Sequence, residues 1–144
     1  MIKNITPNEK LLEKILTWDL QKIVEFVVIE NPDIPERDIR SSEKEYKYFI
    51  YLVTLTGENL SIPTKVVDLI WHAHILHTKD YIAFCDYVAG SYIHHTPYPY
   101  TEEKFEDNTD KVSLLSQQVF GNIVFDFNKK NLITKVNFSS SGPD

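Results

Sequence analysis

Thr64–Gly90 reads TKVVDLIWHAHILHTKDYIAFCDYVAG, and this stretch decides the fold. From Thr64 to about His77 the pattern is helical, with Val67, Ile70 and His74 falling along one line. Pro63 in front of it suits a first helical turn, where a missing amide hydrogen costs nothing. Thr78 then offers a fresh N-cap, with Asp80 close to the positive end of the next helix. That helix carries Tyr81, Phe84, Cys85 and Val88 on its apolar face, and Gly90 closes it. The spacing therefore predicts two helices meeting at a corner near His77 and Thr78.

Upstream, positions 8–30 read as one helix, with Leu12, Ile15, Leu16, Ile23 and Val27 at three- and four-residue steps. Asn31-Pro32-Asp33-Ile34-Pro35 stops it, because proline removes a donor and restricts the residue before it. Ser41 or Ser42 can cap a further helix to about Thr56, burying Tyr46, Phe49, Ile50 and Val53, with Gly57 as its end. Downstream, the aromatic, proline-stiffened loop Thr96-Pro97-Tyr98-Pro99-Tyr100 leads into a fifth helix over 101–120, ended by Gly121. Ile123-Val124-Phe125-Asp126-Phe127 and Leu132-Ile133-Thr134-Lys135-Val136, around the polar Asn128-Lys129-Lys130-Asn131, predict a β-hairpin. A lone hairpin is marginal in water, so this one must pack on the helices or on a partner. The fold expected is mainly α: a single compact domain of about five helices over 1–121. A hairpin extension follows over 122–138, and a disordered tail over 139–144.

At 144 residues the chain is long enough for one core burying roughly two-thirds of its unfolded surface. A formal charge of −6 leaves no basic surplus to displace counterions, which argues against a nucleic-acid partner. It would suit a basic protein partner. The longest apolar block, Phe26 to Ile29, is far too short to span a bilayer, so no membrane partner is expected. The start of the chain carries no signal-peptide pattern, and a single cysteine fits a reducing compartment; the expected location is cytoplasmic.

All five histidines and the one cysteine fall between positions 72 and 95. Imidazole and thiolate are the common protein ligands of zinc and other borderline metals. His72 and His74 lie about 200° apart on a regular helix, so undistorted helix cannot bring both to one ion. In one unbroken helix His74 and Cys85 would sit about 16 Å apart, again too far. A corner at His77-Thr78 would fold the Cys85 helix back toward His72 or His74, with His94 or His95 arriving from the loop. The candidate ligands are therefore His72 or His74, together with Cys85 and His95, with Asp68 orienting an imidazole and zinc as the natural ion. Against this stands a purely structural cluster. Free cysteine is usually buried, and a histidine paired with Asp68 or a carbonyl is satisfied without metal. Trp71 and Tyr81 then serve as core anchors. Catalysis by a mid-helix Cys85 would lack an oxyanion hole, and no phosphate-binding glycine loop or serine nucleophile motif is present.

Asp68-x-x-Trp71-His72-x-His74 followed by Tyr81, Cys85, Gly90 and His95 resembles the helical domain of the glycine-rich domain-containing protein-like family. The likeness is strongest over 62–97 and extends through Val119-Phe120-Gly121. Two features depart from the family: the chain has four glycines and no glycine-rich segment, and Thr78 stands where the pattern favours proline. The resemblance implies a helical domain with the family's His/Cys set, and it names no activity. Three functions follow as expectations. The first is a small binding domain with a His/Cys polar cluster or structural metal site. The second is a protein-binding module of inhibitor or immunity type, the third a metal-dependent enzyme using the same cluster. No catalytic residue is assigned, and the balance leans away from an enzyme.

Overall fold

A computed structural model describes residues 5–58, 60–95 and 102–127, with the backbone alone over 102–110. Six helices follow one another: α1 Glu9–Leu16, α2 Gln21–Glu30, α3 Glu36–Thr56, α4 Lys65–Leu76, α5 Thr78–Ala89 and α6 Glu102–Phe120. The expected single helix over 8–30 is therefore two. Asn8 caps α1 by accepting from the Leu11 amide at 3.0 Å, and Thr17 ends it. The Asp19 carboxylate accepts the Gln21 amide at 2.9 Å, opening α2. The break is stabilised from outside. Buried Lys47 of α3 donates to the carbonyls of Leu16 at 2.9 Å and Trp18 at 2.6 Å, the acceptors a helix end leaves unpaired. Apolar periodicity runs through the break and conceals it.

Helix α3 also begins earlier than expected, at Glu36 rather than after Ser41 or Ser42. The Pro35 carbonyl receives the amides of Asp38 and Ile39, while Glu36 and Asp38 place negative charge on the first turn. Ser42 is buried inside the helix, and its hydroxyl bonds back to the Asp38 carbonyl at 2.7 Å. Gly57 ends α3 at φ 68°, a left-handed position that a side chain would strain.

Thr64 caps α4 by accepting the Val67 amide at 3.1 Å. The corner falls where expected, but the N-cap comes one residue earlier: His77 ends α4 and opens α5, leaving Thr78 as the first residue inside α5. His77 donates its amide to Ala73 and His74 and accepts the Tyr81 amide, so one residue turns the chain. Gly90 closes α5 at φ 71°.

Helix α3 packs against α1, α2 and α4, and α4 also packs against α2 and α5. Tyr46, Phe49, Ile50, Leu52, Ile70, Trp71 and Phe84 fill the space between them. Each such side chain is worth roughly 1.5–3 kcal/mol of burial. Helix α6 joins through Val112 and Leu115 and through Phe120, whose ring lies 4.8 Å from that of Tyr48. Residues 121–127 form no strand; they are tied to the helices by Val124 N–H to Ser116 Oγ and Asp126 N–H to Glu45, with Phe125 buried. The second arm of the expected hairpin and the tail over 139–144 lie outside the described residues. Among the described residues no helix is long and apolar enough to cross a membrane.

Candidate functional site

The corner between α4 and α5 fixes everything near the histidines. Trp71 on α4 donates its indole N–H to the Tyr81 hydroxyl on α5 at 2.9 Å, and that hydroxyl donates onward to the Ile93 carbonyl. The Ile93 amide in turn reaches Cys85 Sγ at 3.4 Å. Ile93 is thereby clasped at both backbone groups, and the segment after Gly90 is held against α5. Burial pushes both the Tyr81 hydroxyl and the Cys85 thiol to higher pKa, so both stay protonated and serve as hydrogen-bonding groups.

His95 arrives at the end of that segment. Its Nε2 lies 2.7 Å from Asp68 Oδ1, and its ring packs on Trp71 with centroids 4.7 Å apart. Asp68 is fully buried, and its other oxygen receives Lys65 Nζ at 3.2 Å. The carboxylate holds the imidazole in place. His72 is half-buried, with its ring 6.4 Å from that of His95.

His74 faces the other way, as helix geometry requires. It is fully buried, with Nδ1 2.7 Å from the Tyr46 hydroxyl and its ring against Tyr81 and Phe84. Burial holds the Tyr46 phenol well above its usual pKa, so we assign it as the donor to Nδ1, which leaves the imidazole proton on Nε2. Nε2 lies 3.7 Å from Asp80 Oδ2, within ion-pair range and beyond hydrogen-bond reach. Asp80 itself accepts Trp18 Nε1 at 2.9 Å, joining the α1–α2 break to α5. Desolvation lowers the His74 pKa to about 4, with Asp80 opposing and His77 and Lys47 adding to the fall.

Of the proposed ligands, His72 and His95 come near each other, whereas His74 is engaged by Tyr46 and Cys85 by the Ile93 amide. Among the described residues no three His, Cys, Asp or Glu side chains gather as a group that could hold a metal. His94 is exposed and stacks on Tyr92, which stacks on Tyr81, at 5.0 and 5.2 Å between ring centroids. Lys65 and Ile93 escaped the sequence reading, and Tyr46 entered it only as a core residue. Lys65 stands three residues before Asp68 on one helix face, a spacing that suggests the pair; Tyr46, 28 residues from His74, gives no local signal.

Two clefts adjoin α5. One of about 540 Å³ lies at the corner between Asp19, Lys22, His77 and Asp80. The other, of about 420 Å³, runs between the outer face of α5 and Ser91-Tyr92.

Comparison with known proteins places these features in a lineage. A family model described as UCP032817-like matches residues 11–120. Glycine-rich domain-containing protein 1 of Arabidopsis thaliana is 28% identical over 95 residues, which cover 59% of this chain and only 11% of the plant protein. No solved structure matches. The family match takes in α2 to α6 whole, and with them Asp68, Trp71, Tyr81, Cys85 and His95. The chain belongs to the UCP032817-like, glycine-rich domain-containing protein-like family.

Proposed function

We propose that the chain is a small helical binding domain in which the His/Cys cluster is a structural brace and residues 91–95 form the recognition edge. The observation that carries this reading is the double clasp on Ile93 by Tyr81 and Cys85. Buried polar groups hold a short exposed segment in one conformation, which lowers the ordering cost of binding. Tyr92, 45% exposed and flanked by His94, presents the kind of aromatic surface that anchors protein interfaces. A net charge of −6 favours a basic protein partner, and one free thiol suits the reducing cytoplasm. An inhibitor or immunity-type module is the special case in which that partner is one dedicated protein. The test is affinity capture from the native host with wild type, Tyr92→Ala and His94→Ala. One stoichiometric partner, lost with the variants, is the expected result. Recovery of none, or equal recovery by all three, would sink the reading.

A second reading keeps a metal. It is favoured by the proximity of His72 and His95, with Asp68 orienting the latter as a carboxylate orients a ligating imidazole. Zinc is the ion these donors suit, and an enzyme built on the cluster would need it with an open coordination position. Elemental analysis after preparation without chelators decides it. Stoichiometric zinc, copper or iron that disappears in a folded His72→Ala variant supports the site, and metal-free wild type removes it.

A further inference from the structure

We propose that the outward face of α5 is a self-association surface on which a second copy of this chain docks antiparallel, across a two-fold axis. Lys79, Ile82, Ala83 and Asp86 are all exposed and stand at the i, i+3, i+4 and i+7 positions of one helix face. Ile82 is 57% exposed, an aliphatic side chain left in water at the centre of this stripe. Neither Lys79 nor Asp86 forms an ion pair with another described residue, although ion pairs occur elsewhere on the surface, as between Lys111 and Glu58.

The order of these residues is self-complementary. A two-fold axis midway between Ile82 and Ala83 sets Lys79 opposite Asp86 of the second copy, and Asp86 opposite its Lys79. The same axis sets Ile82 opposite Ala83, large against small, which lets the two helix backbones approach. The charged pairs are separated by seven residues, about 10.5 Å of helix, so both bridges form with the apolar pair between them. A parallel pairing would bring Lys79 onto Lys79 and Asp86 onto Asp86, so the charges select the antiparallel arrangement. The 420 Å³ cleft beside α5 gives this contact depth. Tyr92 walls it, and Ile82 of the second copy enters it. A contact of two helical turns is at the small end of specific interfaces, so association is expected at micromolar or weaker strength. This surface shares Tyr92 with the 91–95 edge, but its charged positions Lys79 and Asp86 lie outside that edge, so reversing them tests self-association separately from what the edge recognises.

Charge reversal tests it on the full chain. Sedimentation velocity across a micromolar to millimolar concentration series would compare wild type, Lys79→Glu, Asp86→Lys and the double variant, with circular dichroism confirming that each is folded. Either single reversal sets like charges across the axis and is expected to weaken dimerisation roughly tenfold. The double variant restores both bridges with signs exchanged, and is expected to return to near wild-type association. A wild type that stays monomeric throughout the series overturns the proposal. So does a dimer that all four proteins form equally well, because another surface must then carry it.

Discussion

His74 is a base held where ionisation is costly. Its pKa of about 4 in the fold lies below the ordinary 6.5, so between those values the unfolded chain takes up a proton that the folded chain refuses. The sign follows directly: the unfolded state binds more protons in this window, so stability falls as pH drops from about 6.5 toward about 4. The full difference amounts to about 3 kcal/mol. Urea midpoints of wild type and His74→Gln, measured from neutral to mildly acidic pH, check this. The variant should lose less stability over the window, and parallel curves would mean that His74 is not the group responsible. At neutral pH the same residue matters for packing. His74→Ala should cost about 2–4 kcal/mol, because it opens a void among Tyr46, Tyr81 and Phe84 and removes the partner of the Tyr46 hydroxyl. His77→Ala removes a ring nitrogen contact to the Ala73 carbonyl and a contact with the Phe26 ring, both beside the cleft, and should cost about 1 kcal/mol. Equal urea midpoints for the two alanine variants would contradict the burial difference that separates them.

At the scale of elements, two polar devices hold segments that apolar burial alone would leave loose. One is the Ile93 clasp. Tyr81→Phe keeps the ring in the core but removes both the acceptor for Trp71 and the donor for the Ile93 carbonyl. The expected cost is about 1–3 kcal/mol, with faster amide exchange concentrated over residues 91–95. A uniform change in exchange along the chain would show that Tyr81 does not act on that segment. The other device is Lys47 at the α1–α2 break, and sequence revealed neither. The α4–α5 corner, Gly57 and Gly90 were legible because each is set by residues within one turn: a cap, a left-handed glycine, a change of apolar phase. The α1–α2 break was not, since Leu12, Leu16, Ile23 and Val27, at steps of four, seven and four residues, keep one helical face across it. What stabilises the break is a lysine 31 residues away from the Leu16 carbonyl to which it donates. The candidate site divides in the same way. Spacing offered Asp68 as the partner of an imidazole without fixing which one; the ring it holds, His95, lies 27 residues away, just as Tyr46 and His74 lie 28 apart and Trp18 and Asp80 62 apart. Spacing cannot report such contacts.

At the scale of the whole molecule, these long links make one cooperative body from α1 to α5. Trp18 sits at the α1–α2 break with its ring 5.4 Å from that of Phe84 on α5, and its indole N–H on Asp80. Trp71, in the centre of α4, lies 5.5 Å from the ring of Phe49 on α3. The two tryptophans thus report on different parts of a single continuous core. If that core unfolds as a unit, loosening either end removes the support of the other, and no partly folded species accumulates. Single-tryptophan variants Trp18→Phe and Trp71→Phe provide the test, each followed in urea by fluorescence and by far-ultraviolet circular dichroism. Within each variant the two probes should give one midpoint. Trp18→Phe should also unfold at lower urea than wild type, because Asp80 loses its indole donor. A helical signal that persists after the Trp18 fluorescence transition in Trp71→Phe would mean that α1 and α2 detach first. In that case α4 and α5, with the His/Cys brace between them, would form the stable unit, and the links through Lys47 and Asp80 would be attachments to it rather than parts of one core.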